Sequence, residues 1–83
     1  MGVLELYELE TDEGTYEQWC DTDLNAREWV KWLCAEGEYL EGAVLRRINT
    51  SPKSPRYGTV EKKWQVKVTK KGEKHIATCK RIA

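Results

Sequence analysis

The alternation of apolar and polar residues predicts strands at both ends of this 83-residue chain. Trp64, Val66 and Val68 alternate with polar residues, as in a strand with one buried face. This alternation extends over residues 60–69. A less regular form of it is found over residues 3–11, 15–20, 39–48 and 75–82. Short Gly-containing segments at residues 12–14 and 70–73 indicate that the first two and the last two strands form hairpins.

One segment has helical periodicity instead. Its apolar residues at helical spacing are Ala26, Trp29, Val30, Leu33 and Cys34. Thr22 stands where an N-cap is expected, and Gly37 stands where a helix ends. The sequence therefore predicts one helix over residues 22–36.

These elements predict an α+β fold with the order β-β-α-β-β-β. A chain of 83 residues supports one small core, so residues 1–83 form a single domain. The apolar stripe of the helix needs a partner, and Trp64, Val66 and Val68 offer one, so the helix should cover one face of an antiparallel five-stranded sheet. The other face of the sheet is expected to stay open to solvent.

Charge is segregated along the chain. Residues 1–41 contain twelve acids and two bases, whereas residues 42–83 contain two acids and twelve bases. The net charge of zero therefore combines a half of −10 with a half of +10. Two interpretations are open: the acidic hairpin forms ion pairs with the basic strands, or one of the halves binds a partner of opposite charge.

No catalytic constellation is evident in the sequence, and no enzyme is predicted. His75 is the only histidine and has no acid at an obvious partnering spacing. Cys20, Cys34 and Cys79 could with His75 form a Cys3His zinc site, but their wide spacing favours reduced structural thiols. The isolated glycines form no phosphate-binding loop, so no nucleotide is expected. Together with the spacing of the cysteines, this predicts neither a metal nor another cofactor.

Two groups of residues are candidates for binding a partner. The first group is basic and follows the helix in the chain: Arg46, Arg56, Lys63 and Lys67. The second group lies on the helix: Arg27, Lys31 and Trp32. Trp32 falls outside the apolar stripe, so it is either an exposed interface anchor or folds onto the sheet edge. No membrane span or signal peptide is predicted, which favours a cytosolic location.

A resemblance to a known family rests on three features of residues 13–48. Glu13-Gly14-Thr15 opens a strand, Ala26 lies in the first turns of the helix, and Leu40-x-Gly42-x-Val44-x-Arg46 follows. In these features the chain resembles small phage anti-CRISPR proteins that inhibit type I systems. The resemblance implies a two-strand, helix, three-strand arrangement that binds the RNA-guided surveillance complex without catalysing a reaction.

The resemblance also implies roles for two helix residues. A basic residue directly after the helix alanine, used by one such inhibitor to grip the complex, corresponds to Arg27. A second basic contact of that family corresponds to Trp32, where this chain departs from the family pattern.

The expected function is therefore a non-enzymatic phage or mobile-element inhibitor that blocks target DNA binding by a host CRISPR surveillance complex. Either the acidic hairpin imitates DNA, or the basic strands bind acidic subunits and also contact nucleic acid. The acids that the first mechanism would require are Glu5, Glu8, Glu10 and Glu17. The alternative function is a nucleic-acid-binding module that uses the basic half. A monomer or weak dimer is expected, since an open sheet has two unpaired edges.

Overall fold

A computed structural model describes residues 4–83 as one antiparallel sheet of five strands with one helix on one face. The elements in chain order are β1 (Glu5–Thr11), β2 (Gly14–Cys20), α1 (Asp23–Ala35), β3 (Val44–Ile48), β4 (Val60–Lys71) and β5 (Lys74–Arg81). The predicted fold class and element order are confirmed. Within residues 4–83, no helix is long and apolar enough to cross a membrane.

The strands lie in the order β2-β1-β3-β4-β5, and every neighbouring pair is antiparallel. β3 is shorter than the predicted strand over residues 39–48, because Gly42 adopts a φ of 77° and turns the chain out of extended geometry. β4 runs on to Lys71, which pairs with Lys74 across a tight turn at Gly72. The predicted start of the first strand at residue 3 lies outside the described residues.

The core lies between α1 and the inner face of the sheet. The sheet contributes Tyr7, Leu9, Leu45, Trp64, Val66 and Ala77, and the helix contributes Ala26, Val30, Leu33 and Cys34, all of them buried. Trp29 and Val68 are partly buried against this cluster. Among residues 4–83 no element covers the outer face of the sheet, because the one helix can cover only one face.

The start of α1 is fixed by Thr22, as its position in the sequence predicts. The Thr22 backbone is extended, and its Oγ1 accepts a hydrogen bond from the Asn25 backbone N–H at 3.0 Å. This contact satisfies one of the N–H groups that a helix start leaves without an intrahelical partner.

We expect Thr22→Ala to lower the free energy of unfolding by about 1 kcal/mol, because an N-cap hydrogen bond typically contributes that much. Urea unfolding followed by circular dichroism measures the change. Thr22→Ser keeps the accepting oxygen and serves as the control, with a much smaller expected loss. An equal loss in both variants would contradict the capping role.

Candidate partner-binding surface

Part of the charge segregation is used inside the fold, where acidic β1 lies beside basic β3. Glu8 is directly opposite Arg46, and Arg46 Nη2 lies 3.2 Å from Glu10 Oε1. On the inner face, Arg47 Nη2 lies 3.7 Å from Glu5 Oε1. The first interpretation of the charge pattern, ion pairing between the acidic hairpin and the basic strands, therefore holds for β1 and β3.

Arg47 is the centre of a polar cluster at the start of α1, which we call the Asp23 cluster. Lys62 Nζ donates to Asp23 Oδ2 at 2.6 Å, and Arg47 Nη1 lies 3.3 Å from Asp23 Oδ1. The buried Tyr7 hydroxyl donates to the same Oδ1. On the other side of Arg47, its Nε lies 3.5 Å from Glu61 Oε1, which is an ion-pair distance without hydrogen-bond geometry. The cluster ties α1 to β1, β3 and β4.

The pKa values in the Asp23 cluster follow from burial and charge. Burial alone would raise the pKa of Asp23, but hydrogen bonds from Lys62 and Tyr7, with the charges of Lys62 and Arg47, bring that pKa below its ordinary value. Burial and the hydrogen bond to Asp23 raise the pKa of the Tyr7 hydroxyl. An ionised Asp23 and a protonated Tyr7 are therefore the stable states at neutral pH, which suits a structural contact.

The outer face of the sheet carries ordered rows of side chains, because residues opposite one another in neighbouring strands point to the same face. The apolar row runs across β2, β1, β3 and β4 through Trp19, Leu6, Ile48 and Val60. The neighbouring charged row crosses the same strands through Glu17, Glu8, Arg46 and Lys63. Two acids are thus followed by two bases across the face.

β5 is an edge strand with basic side chains on both sides. Arg27 and Lys31 of α1 line a cleft with Cys79, and burial raises the pKa of the Cys79 thiol although these two bases act against it. On the outer face, β5 carries Lys74 and Lys80, and the neighbouring strand β4 carries Lys63 and Lys67. We call the set Arg27, Lys31, Lys74 and Lys80 the basic β5 edge.

The basic β5 edge is largely free of internal ion pairs. Among residues 4–83, only Lys31 of this set contacts a carboxylate, at 3.7 Å from Glu28 in an exposed pair on the helix surface. Such exposed pairs contribute little free energy. Within the described part of the chain β5 pairs with β4 alone, so backbone groups along its outer side have no strand partner there. One of them, the His75 carbonyl, accepts a weak contact of 3.6 Å from Cys34 Sγ.

The predicted binding residues fall on separate surfaces. Arg27 and Lys31 lie at the basic β5 edge, whereas Arg46, Lys63 and Lys67 lie on the outer face, the first two of them in the charged row. The remaining two lie apart from both. Arg56 is exposed in the loop between β3 and β4, and Trp32 is exposed on the helix flank away from Arg27 and Lys31.

The acids that DNA imitation would use are also divided. Glu8, Glu10 and Glu17 belong to the outer face, but Glu5 points to the inner face and contacts Arg47. Because Glu10 is already paired with Arg46, the outer face presents a short acidic patch beside bases. This arrangement favours a basic over an acidic contact surface.

The three cysteines do not converge on His75. Cys20 ends β2, while Cys34 and Cys79 lie on the other side of the core near β5, and all three are free thiols. Within residues 4–83, no group of three His, Cys, Asp or Glu side chains is arranged to hold a metal ion. Burial raises the pKa of Cys20 and of Cys34, which keeps both thiols protonated and poorly nucleophilic.

Sequence reasoning missed the Asp23 cluster. In the sequence, Asp23 stands only as an acid at the start of the predicted helix, and nothing about Tyr7 indicates a role. One signal was available: Arg46 and Arg47 are consecutive in a strand, so one of them must face the helix and requires a carboxylate there.

Comparison with known proteins adds no relative: no protein-family model, no curated protein and no solved structure matches the chain.

Proposed function

We propose that this protein is a non-enzymatic inhibitor that binds a type I CRISPR surveillance complex through the basic β5 edge and blocks target DNA binding. The observation that carries the binding role is the presence of bases from α1 and β5 on both sides of an edge strand that has one strand neighbour within residues 4–83. The resemblance over residues 13–48 supports the choice of target.

The basic β5 edge suits an acidic protein surface. Its charges come from both sides of the edge strand, so a partner strand or loop placed along β5 would meet them while pairing with the backbone. Arg27, the residue that the resemblance implies as a contact, belongs to this set. Arg27 is therefore favoured as a contact both by the resemblance and by the charge of the surface on which it lies.

Reversing the charge of two helix residues tests this proposal. We expect Arg27→Glu/Lys31→Glu to weaken inhibition at least about tenfold, because two attractive contacts become repulsive. The assay measures binding of a labelled target duplex to a purified type I surveillance complex as inhibitor is added. Lys53→Glu/Arg56→Glu is the matched control, since it makes the same charge change in the β3–β4 loop and should retain inhibition.

Two results would contradict the proposal. The first is unchanged inhibition by Arg27→Glu/Lys31→Glu while Lys53→Glu/Arg56→Glu loses it. The second is failure of the wild-type protein to bind any type I complex after nuclease treatment. Circular dichroism of each variant establishes that the fold is intact before inhibition is compared.

A nucleic-acid-binding module is the second candidate, favoured by the lysines on the outer face of β4 and β5. Lys63, Lys67 and Lys80 have no ion pair among residues 4–83 and could follow a phosphate backbone. This function requires affinity for bare DNA or RNA that falls steeply as the salt concentration rises. Each phosphate contact contributes about −0.7 to −0.9 to the slope of the logarithm of the binding constant against the logarithm of the salt concentration. Recovery of the surveillance complex that disappears with nuclease would favour it over the inhibitor.

A further inference from the structure

We propose that the outer face of the sheet is a self-association surface and that its partner is a second copy of this chain. The contact uses the apolar row and the charged row, whereas the proposed inhibitor contact uses the basic β5 edge. The two proposals therefore concern different surfaces and can fail separately.

The apolar row gives the face an interface centre. Trp19 is 51% exposed and Val60 is 38% exposed, while Leu6 and Ile48 between them are half-buried. Apolar side chains in one line across four strands form a continuous patch, which is characteristic of a contact surface. An exposed Trp at its end supplies the kind of side chain that dominates binding energy in interfaces.

The charged row identifies the partner. Across β2, β1, β3 and β4 the order of charges is acid, acid, base, base. A two-fold axis parallel to the strands, between β1 and β3, reverses this order in the second copy and keeps each row at its own level. Two such faces therefore place acid against base at all four positions. The face is complementary to itself, as an isologous contact requires.

The same axis superimposes the apolar rows. β1 lies over β3 of the second copy and β2 over β4, so Leu6 faces the partner's Ile48 and Trp19 faces the partner's Val60. In the charged row, Glu8 faces the partner's Arg46 and Glu17 faces the partner's Lys63. Sheets that pack face to face keep their strands within about 30° of each other, which preserves these pairings near the axis.

β5 has no counterpart in this arrangement. The axis between β1 and β3 pairs four strands of each copy, and β5 is the fifth strand, beyond the overlap. The basic β5 edge consequently stays accessible in the dimer. A dimer would present two such edges, one on each side.

A charge-exchange experiment tests the proposed pairing of Glu17 with the partner's Lys63. Sedimentation equilibrium at low salt should detect a wild-type dimer that dissociates on dilution through the micromolar range. We expect Lys63→Glu alone and Glu17→Lys alone each to weaken dimerisation at least about tenfold. Each substitution places like charges opposite each other at two symmetry-related positions of the dimer. An equimolar mixture of the two variants should recover dimerisation, since each copy then meets the opposite charge.

Matched variants separate this effect from a general change in charge. Lys70→Glu changes a residue on the inner face of β4, and Glu36→Lys changes the C-cap of α1. Because both residues lie outside the proposed contact, both variants should dimerise like the wild type. The double variant Glu17→Lys/Lys63→Glu should also dimerise like the wild type, which provides a test if a single variant folds poorly.

Three outcomes would overturn the proposal: a wild-type protein that is monomeric throughout this range, single variants that dimerise normally, or a mixture that stays as weak as its components.

Discussion

Replacing Asp23 with alanine is expected to lower the free energy of unfolding by roughly 2–3 kcal/mol, because hydrogen bonds to a charged group contribute more than neutral ones. The carboxylate accepts hydrogen bonds from Lys62 and from the buried Tyr7 hydroxyl, and it pairs with Arg47. Its loss leaves the hydroxyl without a partner and removes one of the charges that balance Arg47. Urea unfolding at neutral pH, followed by circular dichroism, measures the change.

Two variants locate this effect in the cluster. Asp12→Ala removes an exposed acid from the turn between β1 and β2 and should change stability by less than about 0.5 kcal/mol. Asp23→Asn keeps an accepting oxygen but not the charge, so its loss should lie between those of Asp12→Ala and Asp23→Ala. An Asp23→Ala loss no larger than that of Asp12→Ala would show that the cluster does not stabilise the fold.

The dependence on pH gives a second readout of the same contact. The pKa of Asp23 is lower in the folded protein than in the unfolded chain, where it is about 3.9. A lowered pKa means that the contribution of Asp23 is fully present above the unfolded value and is lost as pH falls through the folded one. The stability difference between wild type and Asp23→Asn should therefore be constant near neutral pH and shrink below about pH 4.

The element order could be predicted because local patterns agree with the tertiary structure. β4 alternates clearly, since its inner residues pack on the helix and its outer residues meet solvent. The helix boundaries follow from Thr22, whose oxygen caps the first turn, and from Gly37, whose φ of 101° disfavours other residues. The apolar stripe in the sequence predicted which residues of α1 face the core, because a single helix on a sheet has only one face to bury.

The candidate surfaces could be predicted only in part, because they depend on how the elements are placed. The sequence places Arg27 and Lys31 on one helix, but only the packing of α1 on β5 brings Lys31 near Lys74. The opposition of Glu8 and Arg46 likewise requires β1 to pair with β3, two strands separated in the chain by β2 and α1. Residues 39–43 share the apolar pattern of β3, yet the strand begins only after Gly42, whose positive φ interrupts extended geometry.

Replacing Trp64 with alanine is expected to cost about 3–5 kcal/mol of folding free energy, the range for removing a buried aromatic side chain. Trp64 is 2% exposed, in the middle of the inner face, and its ring centroid lies 6.4 Å from that of Tyr7. For a domain of this size, such a loss should lower the melting temperature by more than about 12 °C. Thermal unfolding followed by far-UV circular dichroism measures the shift.

Trp32→Ala is the matched control, since it removes the same side chain from the outside of the helix. Trp32 is 58% exposed, so we expect a change within about 0.5 kcal/mol. The contrast tests which side of α1 faces the sheet: a helix rotated about its axis would bury Trp32 and make the two losses comparable. Retained stability in Trp32→Ala with lost inhibition would instead add Trp32 to the partner-binding surface, on the flank of α1 away from Arg27, and would require a contact wider than the β5 edge.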